Sequence, residues 1–63
     1  SKAAKEQFVP VYNEAIKYYE AAKALDKDGS QKAKYAARLY SCYYFVLGEN
    51  DPKTQEAKSY AGY

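Results

Sequence analysis

Residues that commonly carry out chemistry are scarce in this chain. Its 63 residues include one cysteine and no histidine. No imidazole is therefore present to activate a nucleophile, and the usual Cys/His zinc sites are excluded. The acidic residues that could form an acid–base pair are Glu14, Glu20, Asp26 and Asp28. All four fall at exposed helical positions or in a turn, so no pocket is predicted to shift their pKa values. The sequence predicts a protein that is not an enzyme and that uses no metal or cofactor.

Two features remain that could in principle bind or react. Cys42 lies in an apolar run, where a free cysteine is usually a small core residue, and a reactive thiol is the alternative. Asp26-Lys27-Asp28-Gly29 resembles the start of a calcium-binding loop, but the further ligands and the closing glutamate are missing. A buried thiol and an ordinary turn are the favoured interpretations.

Tyrosine is the unusual component, with nine in the chain. A tyrosine ring can fill a thin core while its hydroxyl reaches water, and this explains Tyr12, Tyr19, Tyr40 and Tyr44. Tyrosine is also favoured in grooves that bind a partner. Tyr35 and Tyr43 are the candidates for that second role.

The charge pattern points to one basic segment. Lys32, Lys34 and Arg38 lie within residues 30–47, where no acidic residue occurs. This predicts either a solvated face or a docking surface for an acidic peptide. The net charge of +2 is too balanced to predict nucleic-acid binding. No apolar run approaches the roughly 18–20 residues that a membrane span needs, so no span is predicted.

The element expected to organise these residues is a helix over residues 31–47. Its apolar positions recur at steps of three and four, which places them on one helical face: Ala33, Ala36, Ala37, Tyr40, Tyr43, Tyr44 and Leu47. A second stripe of Leu39, Cys42 and Val46 lies beside them. A helix that is apolar almost all round needs partners on more than one side. We expect it to be the central helix of a bundle.

Two shorter patterns predict the flanking helices. One helix is expected over about 10–27, with Pro10 in its first turn and residues 1–8 as a loosely attached lead-in. Its buried stripe is expected to be Val11, Ala15, Tyr18, Ala22 and Leu25, with Tyr12, Ile16 and Tyr19 alongside. The other helix is expected over about 52–61, capped by Asp51 and packed through Ala57, Tyr60 and Ala61.

The turn residues complete the predicted fold. Gly29 suits a left-handed residue that closes the first helix, and Ser30 can cap the second. So short a connection makes the two helices antiparallel. The fold class predicted is all-α. Residues 1–63 form one domain, a small antiparallel three-helix bundle with a short third helix.

A set of short motifs follows in a recognisable order. They are Ala15-Ile16, Ala22, Asp26-Lys27, a glycine-containing turn, Ala-Ala-Arg-Leu-Tyr at 36–40, Tyr44-Phe45, and Asp-Pro-Lys-Thr-Gln-Glu-Ala at 51–57. Together they resemble microtubule-interacting-and-transport (MIT) domains, the three-helix bundles of the ESCRT membrane-remodelling pathway. The segment 35–40 also looks like the MIT-like N-terminal domain of the cofactor that stimulates the ESCRT-disassembling AAA ATPase. Residues 14–19 equally resemble one helix of a tetratricopeptide repeat.

The MIT resemblance implies a non-catalytic adaptor. Such a domain would bind amphipathic helical tail peptides of ESCRT-III-type partners in an interhelical groove. It would act in endosomal sorting and protein transport, in the cytoplasm and at endosomes. The residues expected to bind the partner are Tyr35, Arg38, Leu39, Tyr43, Val46, Ala57 and Tyr60.

Two other interpretations stay open at this point. The chain could be a designed or simplified three-helix bundle with no ligand. It could also associate with itself through the apolar surface at 42–47. An apolar stripe of the second helix left uncovered by the other two would favour a binding role over the purely structural one.

Overall fold

The computed structural model describes residues 2–63, which form three helices in sequence. Helix α1 spans Lys2–Leu25, α2 spans Lys32–Leu47 and α3 spans Pro52–Ala61. The described residues contain no strand. The predicted fold class, a small all-α three-helix bundle with a short third helix, is confirmed. Among residues 2–63, no helix combines the length and the apolar character that crossing a bilayer requires.

The first helix begins earlier than predicted. Residues 2–8 belong to α1, which continues through Pro10, so the lead-in over these residues is wrong; Ser1 lies outside the described residues. Pro10 has no N–H, and the carbonyl of Glu6 therefore lacks its helical donor. Both residues are exposed. Water can satisfy that carbonyl, which is why the helix tolerates a proline at this position.

Two aspartates, rather than Ser30, organise the turn between α1 and α2. The Asp26 carboxylate accepts a hydrogen bond from the N–H of Gln31 at 2.9 Å, and the Asp28 carboxylate accepts one from the N–H of Ser30 at 3.0 Å. The predicted Ser30 cap is wrong, because the Ser30 hydroxyl lies 3.4 Å from the Asp26 carboxylate instead. Gly29 has the predicted positive φ, at 71°.

The start of α3 is capped as the sequence predicts. The Asp51 carboxylate accepts a hydrogen bond from the N–H of Lys53 at 2.9 Å, and Pro52 occupies the first turn. Thr54, which the sequence did not single out, is fully buried and donates its hydroxyl to the carbonyl of Gly48 at 2.8 Å. This bond ties α3 to the end of α2.

Helix α2 supplies most of the buried residues, as expected of a central helix. They are Ala36, Leu39, Cys42 and Tyr43 from α2, with Thr54 and Ala57 from α3. Helix α1 contributes no buried residue at all, although it is 24 residues long. Both predicted apolar stripes of α2 therefore contribute buried residues, although neither is buried along its whole length.

The three helices lie in a single layer with α2 in the middle. Both α1 and α3 pack on α2, but within the described residues no Cα of α1 lies within 8 Å of a Cα of α3. The molecule measures 40 × 21 × 14 Å.

The stripe of α1 that meets α2 differs from the predicted one. Tyr12, Ile16 and Tyr19 are half-buried against α2. In contrast, Val11, Tyr18 and Leu25 are 63%, 69% and 76% exposed. The prediction that these three face the core is wrong, because the broad apolar arc of α1 can present either of two neighbouring stripes to a single helix.

Candidate functional site

The predicted partner-binding residues fall on two opposite faces of the helical layer. At about 100° per residue, Leu39 and Tyr43 share one face of α2, whereas Arg38 shares the opposite face with Lys34. Each face carries a cavity. We call the one over Leu39 the front cavity and the one beside Arg38 the back groove.

The front cavity brings together three predicted residues, Leu39, Tyr43 and Ala57. It has a volume of about 400 Å³ and is lined by Glu20, Lys23, Ala24, Ala36, Leu39, Tyr43, Lys53, Glu56 and Ala57. The three predicted residues form the hydrophobic core and are only 2%, 7% and 6% exposed. Their apolar surface is already covered within one molecule, which leaves little of it for a partner.

Tyr43 spans the front cavity. Its hydroxyl donates a hydrogen bond of 2.5 Å to the Glu20 carboxylate on α1, and the Lys53 ammonium of α3 lies 5.9 Å from its ring centroid. Burial, together with the Glu20 carboxylate, raises the pKa of Tyr43. The phenol therefore stays protonated and links the three helices, which is a structural role.

Tyr60 lies at one end of the front face between two lysines. The Lys32 and Lys23 ammonium groups are 4.0 and 5.7 Å from its ring centroid. These cation–π contacts connect α3 to the ends of α1 and α2. Tyr60 does not line either of the two cavities, nor do the half-buried Tyr35 and Val46.

The back groove runs between α1 and α2 and is the larger of the two, at about 490 Å³. The residues that line it are Val11, Tyr12, Ala15, Tyr19, Lys34, Ala37, Arg38, Ser41, Cys42 and Tyr63. Val11 and Tyr63 are 63% and 66% exposed, and Tyr12, Tyr19 and Ala37 are half-buried. The back groove therefore offers apolar surface that the chain itself does not cover.

The charged side chains that line the back groove are all positive. Lys34 and Arg38 lie one turn apart on its α2 wall, both exposed, and no carboxylate lines it. In residues 2–63 the ion pair that forms is Lys17–Glu14, at 3.8 Å. Neither cation of the back groove is thus neutralised by a carboxylate of the described chain, so an acidic ligand group would be attracted there.

Cys42 lies at the bottom of the back groove. Its side chain is buried, at 6% exposure, and this burial raises the pKa of the thiol. A neutral, covered thiol is a poor nucleophile, which favours the core role over the reactive one. Across residues 2–63, no three acidic or cysteine side chains come together as a metal site would need.

The surface at 42–47, the alternative site for self-association, is partly covered. The Phe45 ring stacks on Tyr12 of α1 with centroids 4.3 Å apart, and Cys42 and Tyr43 are buried. Only Tyr44 and Leu47 remain exposed, at 47% and 44%. Self-association through Tyr44 and Leu47 stays a prediction, while Phe45 is less accessible because Tyr12 stacks on it.

The sequence indicated the back groove through the basic segment 30–47, which has no acidic residue. Arg38 is the one predicted partner-binding residue that lines this groove. Its α1 wall was missed because Val11 and Ala15 were assigned to the core. Comparison with known protein families, with curated proteins and with solved structures finds no match.

Proposed function

We propose that the chain is a non-catalytic protein-interaction domain whose back groove binds an acidic amphipathic helix of a partner protein. The observation that carries this proposal is the incomplete packing of α1, a 24-residue helix without a buried residue. The backbone of α3 packs on α2 and does not approach α1, so the pair formed by α1 and α2 lacks a closely packed third helix. A guest helix in the back groove would supply it.

The apolar surface of the groove suits a helix that presents anchors at steps of three and four. Val11 and Ala15 on α1 face Ala37 across the groove, and Tyr63 closes one side. An amphipathic helix laid along such a groove buries its apolar stripe and leaves its polar face in water. The contact is small, so we expect micromolar affinity, about −8 kcal/mol.

The two cations specify the polar side of that helix. Lys34 and Arg38 are four residues apart, and acidic residues one turn apart on the guest could meet both. Exposed pairs of this kind contribute about 0.2–1 kcal/mol each and set orientation more than affinity. Binding should therefore weaken as salt is raised, since the Debye length falls to about 8 Å at 0.15 M.

The resemblance to MIT domains supplies a partner class for this proposal. The first ligands to test are therefore ESCRT-III-type tail peptides, which are amphipathic helices. The role proposed for the chain is that of an adaptor in endosomal sorting. The groove proposed here differs from the one the resemblance implied, since it lies between α1 and α2 rather than beside α3.

The test is a titration of the chain with an ESCRT-III-type tail peptide and with a scrambled peptide of the same composition. Amide chemical shifts should change at Val11, Ala37 and Arg38 and stay constant at Ala57. Arg38→Glu should weaken binding about tenfold or more, because an attraction becomes a repulsion. The matched control is Lys53→Glu, the same charge reversal on the front face, which should change affinity less than twofold.

Three results would contradict the proposal. They are the absence of any shift with every acidic helical peptide, shifts confined to the front cavity, and equal losses for the two charge reversals. Binding of an acidic amphipathic peptide other than an ESCRT-III-type tail would keep the groove assignment and remove only the partner class.

A further inference from the structure

Helix α1 carries a second apolar stripe whose large side chains the chain leaves exposed. Its members alternate in steps of three and four: Phe8, Val11, Ala15, Tyr18, Ala22 and Leu25. We call these six residues the α1 seam. This alternation is the seven-residue repeat by which two helices coil around one another. The four large members are 49%, 63%, 69% and 76% exposed, in chain order.

We propose that a second copy of this chain packs on the α1 seam, so that two α1 helices form an antiparallel coiled coil about a two-fold axis. The argument is the self-complementarity of the seam. In an antiparallel pair, each residue of one heptad position meets a residue of the other position. With the two seams fully overlapped, Ala15 lies opposite Tyr18 of the second copy, and Val11 opposite its Ala22.

The sizes of these side chains favour the antiparallel arrangement. Each inner layer then combines one small and one large residue, which fills the space between the helices evenly. A parallel pair would place Ala15 opposite Ala15 and Tyr18 opposite Tyr18, which leaves one layer empty and crowds the next.

The accessible length of α1 fits this contact. The seam covers 18 residues of a continuous helix, about 27 Å at 1.5 Å per residue. Helix α2 packs mainly on the neighbouring stripe of Tyr12, Ile16 and Tyr19, and the large side chains of the seam stay exposed beside it. In a two-fold dimer both copies bury the same residues. A substitution in the seam therefore changes the interface at two places.

This inference goes beyond the proposed function and can fail without it. The two are linked, however, because Val11 and Ala15 belong both to the α1 seam and to the back groove. The dimer would therefore cover the groove, and a guest helix would compete with the second copy.

Sedimentation equilibrium without any peptide tests the dimer. The mass should rise from 7.1 kDa toward twice that value as the concentration increases to about 1 mM. Tyr18→Asp should weaken the dimer about 50-fold or more, since it places a carboxylate in the contact twice. The matched control, Asn13→Asp, adds the same charge on the far side of α1 and should change the dimer less than twofold. Both residues are exposed, and far-ultraviolet circular dichroism verifies that the variants fold.

The direction of the two helices is tested with a nitroxide at Gln7→Cys in a Cys42→Ala background. In the antiparallel dimer Gln7 lies opposite residue 26 of the second copy, so the labels should be about 30 Å apart along the axis. The inference is overturned by a mass of 7.1 kDa at every concentration, by equal effects of the two aspartate variants, or by a label distance of about 15 Å, which a parallel pair would give.

Discussion

Replacing Tyr43 with phenylalanine isolates the hydrogen bond that joins α1 to α2. The ring, which is 7% exposed, stays in the core, while the 2.5 Å bond to Glu20 is lost. Hydrogen bonds to charged groups contribute about 1.5–3 kcal/mol when buried. Because Glu20 is exposed and can be hydrated once the bond is lost, we expect a loss of about 1 kcal/mol at pH 8. For a domain with roughly 3–5 kcal/mol of stability this is a large fraction.

The same hydroxyl predicts how the stability depends on alkaline pH. Burial and Glu20 raise the pKa of Tyr43 above its value of 10.0 in a free side chain. The unfolded chain therefore releases this proton near pH 10, while the folded chain retains it. The contribution of the neutral phenol is complete below pH 10 and is lost as the pH rises from there toward the folded pKa, by about 1.4 kcal/mol per pH unit. The Tyr43→Phe variant lacks this hydroxyl, so its stability has no such dependence on pH at this position.

Urea unfolding at pH 8 and pH 11 measures both effects. The Tyr43→Phe variant should be about 1 kcal/mol less stable than the unaltered chain at pH 8 and equally or more stable at pH 11. Tyr18→Phe, which removes a hydroxyl from a ring that is 69% exposed, is the control and should change little at pH 8. A stability difference for Tyr43→Phe that is the same at both pH values would refute the reasoning. Equal losses for the two variants at pH 8 would do so as well.

Substitutions at three further positions test the ends of the helices. Thr54→Val keeps the buried shape but removes the hydrogen bond to the Gly48 carbonyl, and should lower the free energy of unfolding in urea by about 1–2 kcal/mol. Thr54→Ser keeps the hydroxyl and should lower it less. Equal losses for the two variants would contradict this. Asp51→Ala should cost about 1 kcal/mol and lower the thermal midpoint, while Asp51→Asn, which still caps, should cost less. The Ser30 N–H lowers the pKa of Asp28, so its stabilising effect is present above the ordinary pKa of 3.8 and is lost as the pH falls through the folded value. Asp28→Asn should therefore flatten the acid limb of the stability curve, and an unchanged limb would contradict that role.

The sequence predicts the number and order of the helices because each is bounded by strong local signals. Asp51 and Pro52 start α3, Gly48 ends α2, and the turn at 26–31 separates α1 from α2. These signals act between residues close in the chain, so no knowledge of the packing is needed. Pro10 is the exception, since its effect depends on whether water reaches the carbonyl that it leaves unpaired.

The candidate site was harder to predict because it depends on which of two neighbouring stripes is covered. On α1, the stripe at Val11 and Tyr18 and the stripe at Tyr12 and Tyr19 are both apolar, and periodicity cannot rank them. The stacking of Phe45 on Tyr12 makes the choice, and it involves residues 33 positions apart. The basic character of the site was easier to predict than its position, because residues 30–47 contain Lys32, Lys34 and Arg38 and no acidic residue.

The wide separation of the α1 and α3 backbones has a consequence for how the molecule unfolds. No Cα of α1 lies within 8 Å of a Cα of α3, and the contact of Lys23 with Tyr60 lies at one end of the helices, so the two outer helices can detach separately. The hairpin of α2 and α3, tied by Thr54 and holding the most deeply covered side chains, should outlast the docking of α1. Amide exchange should then be fast in α1 and slow in the pair of α2 and α3, so that the chain unfolds in two steps rather than one.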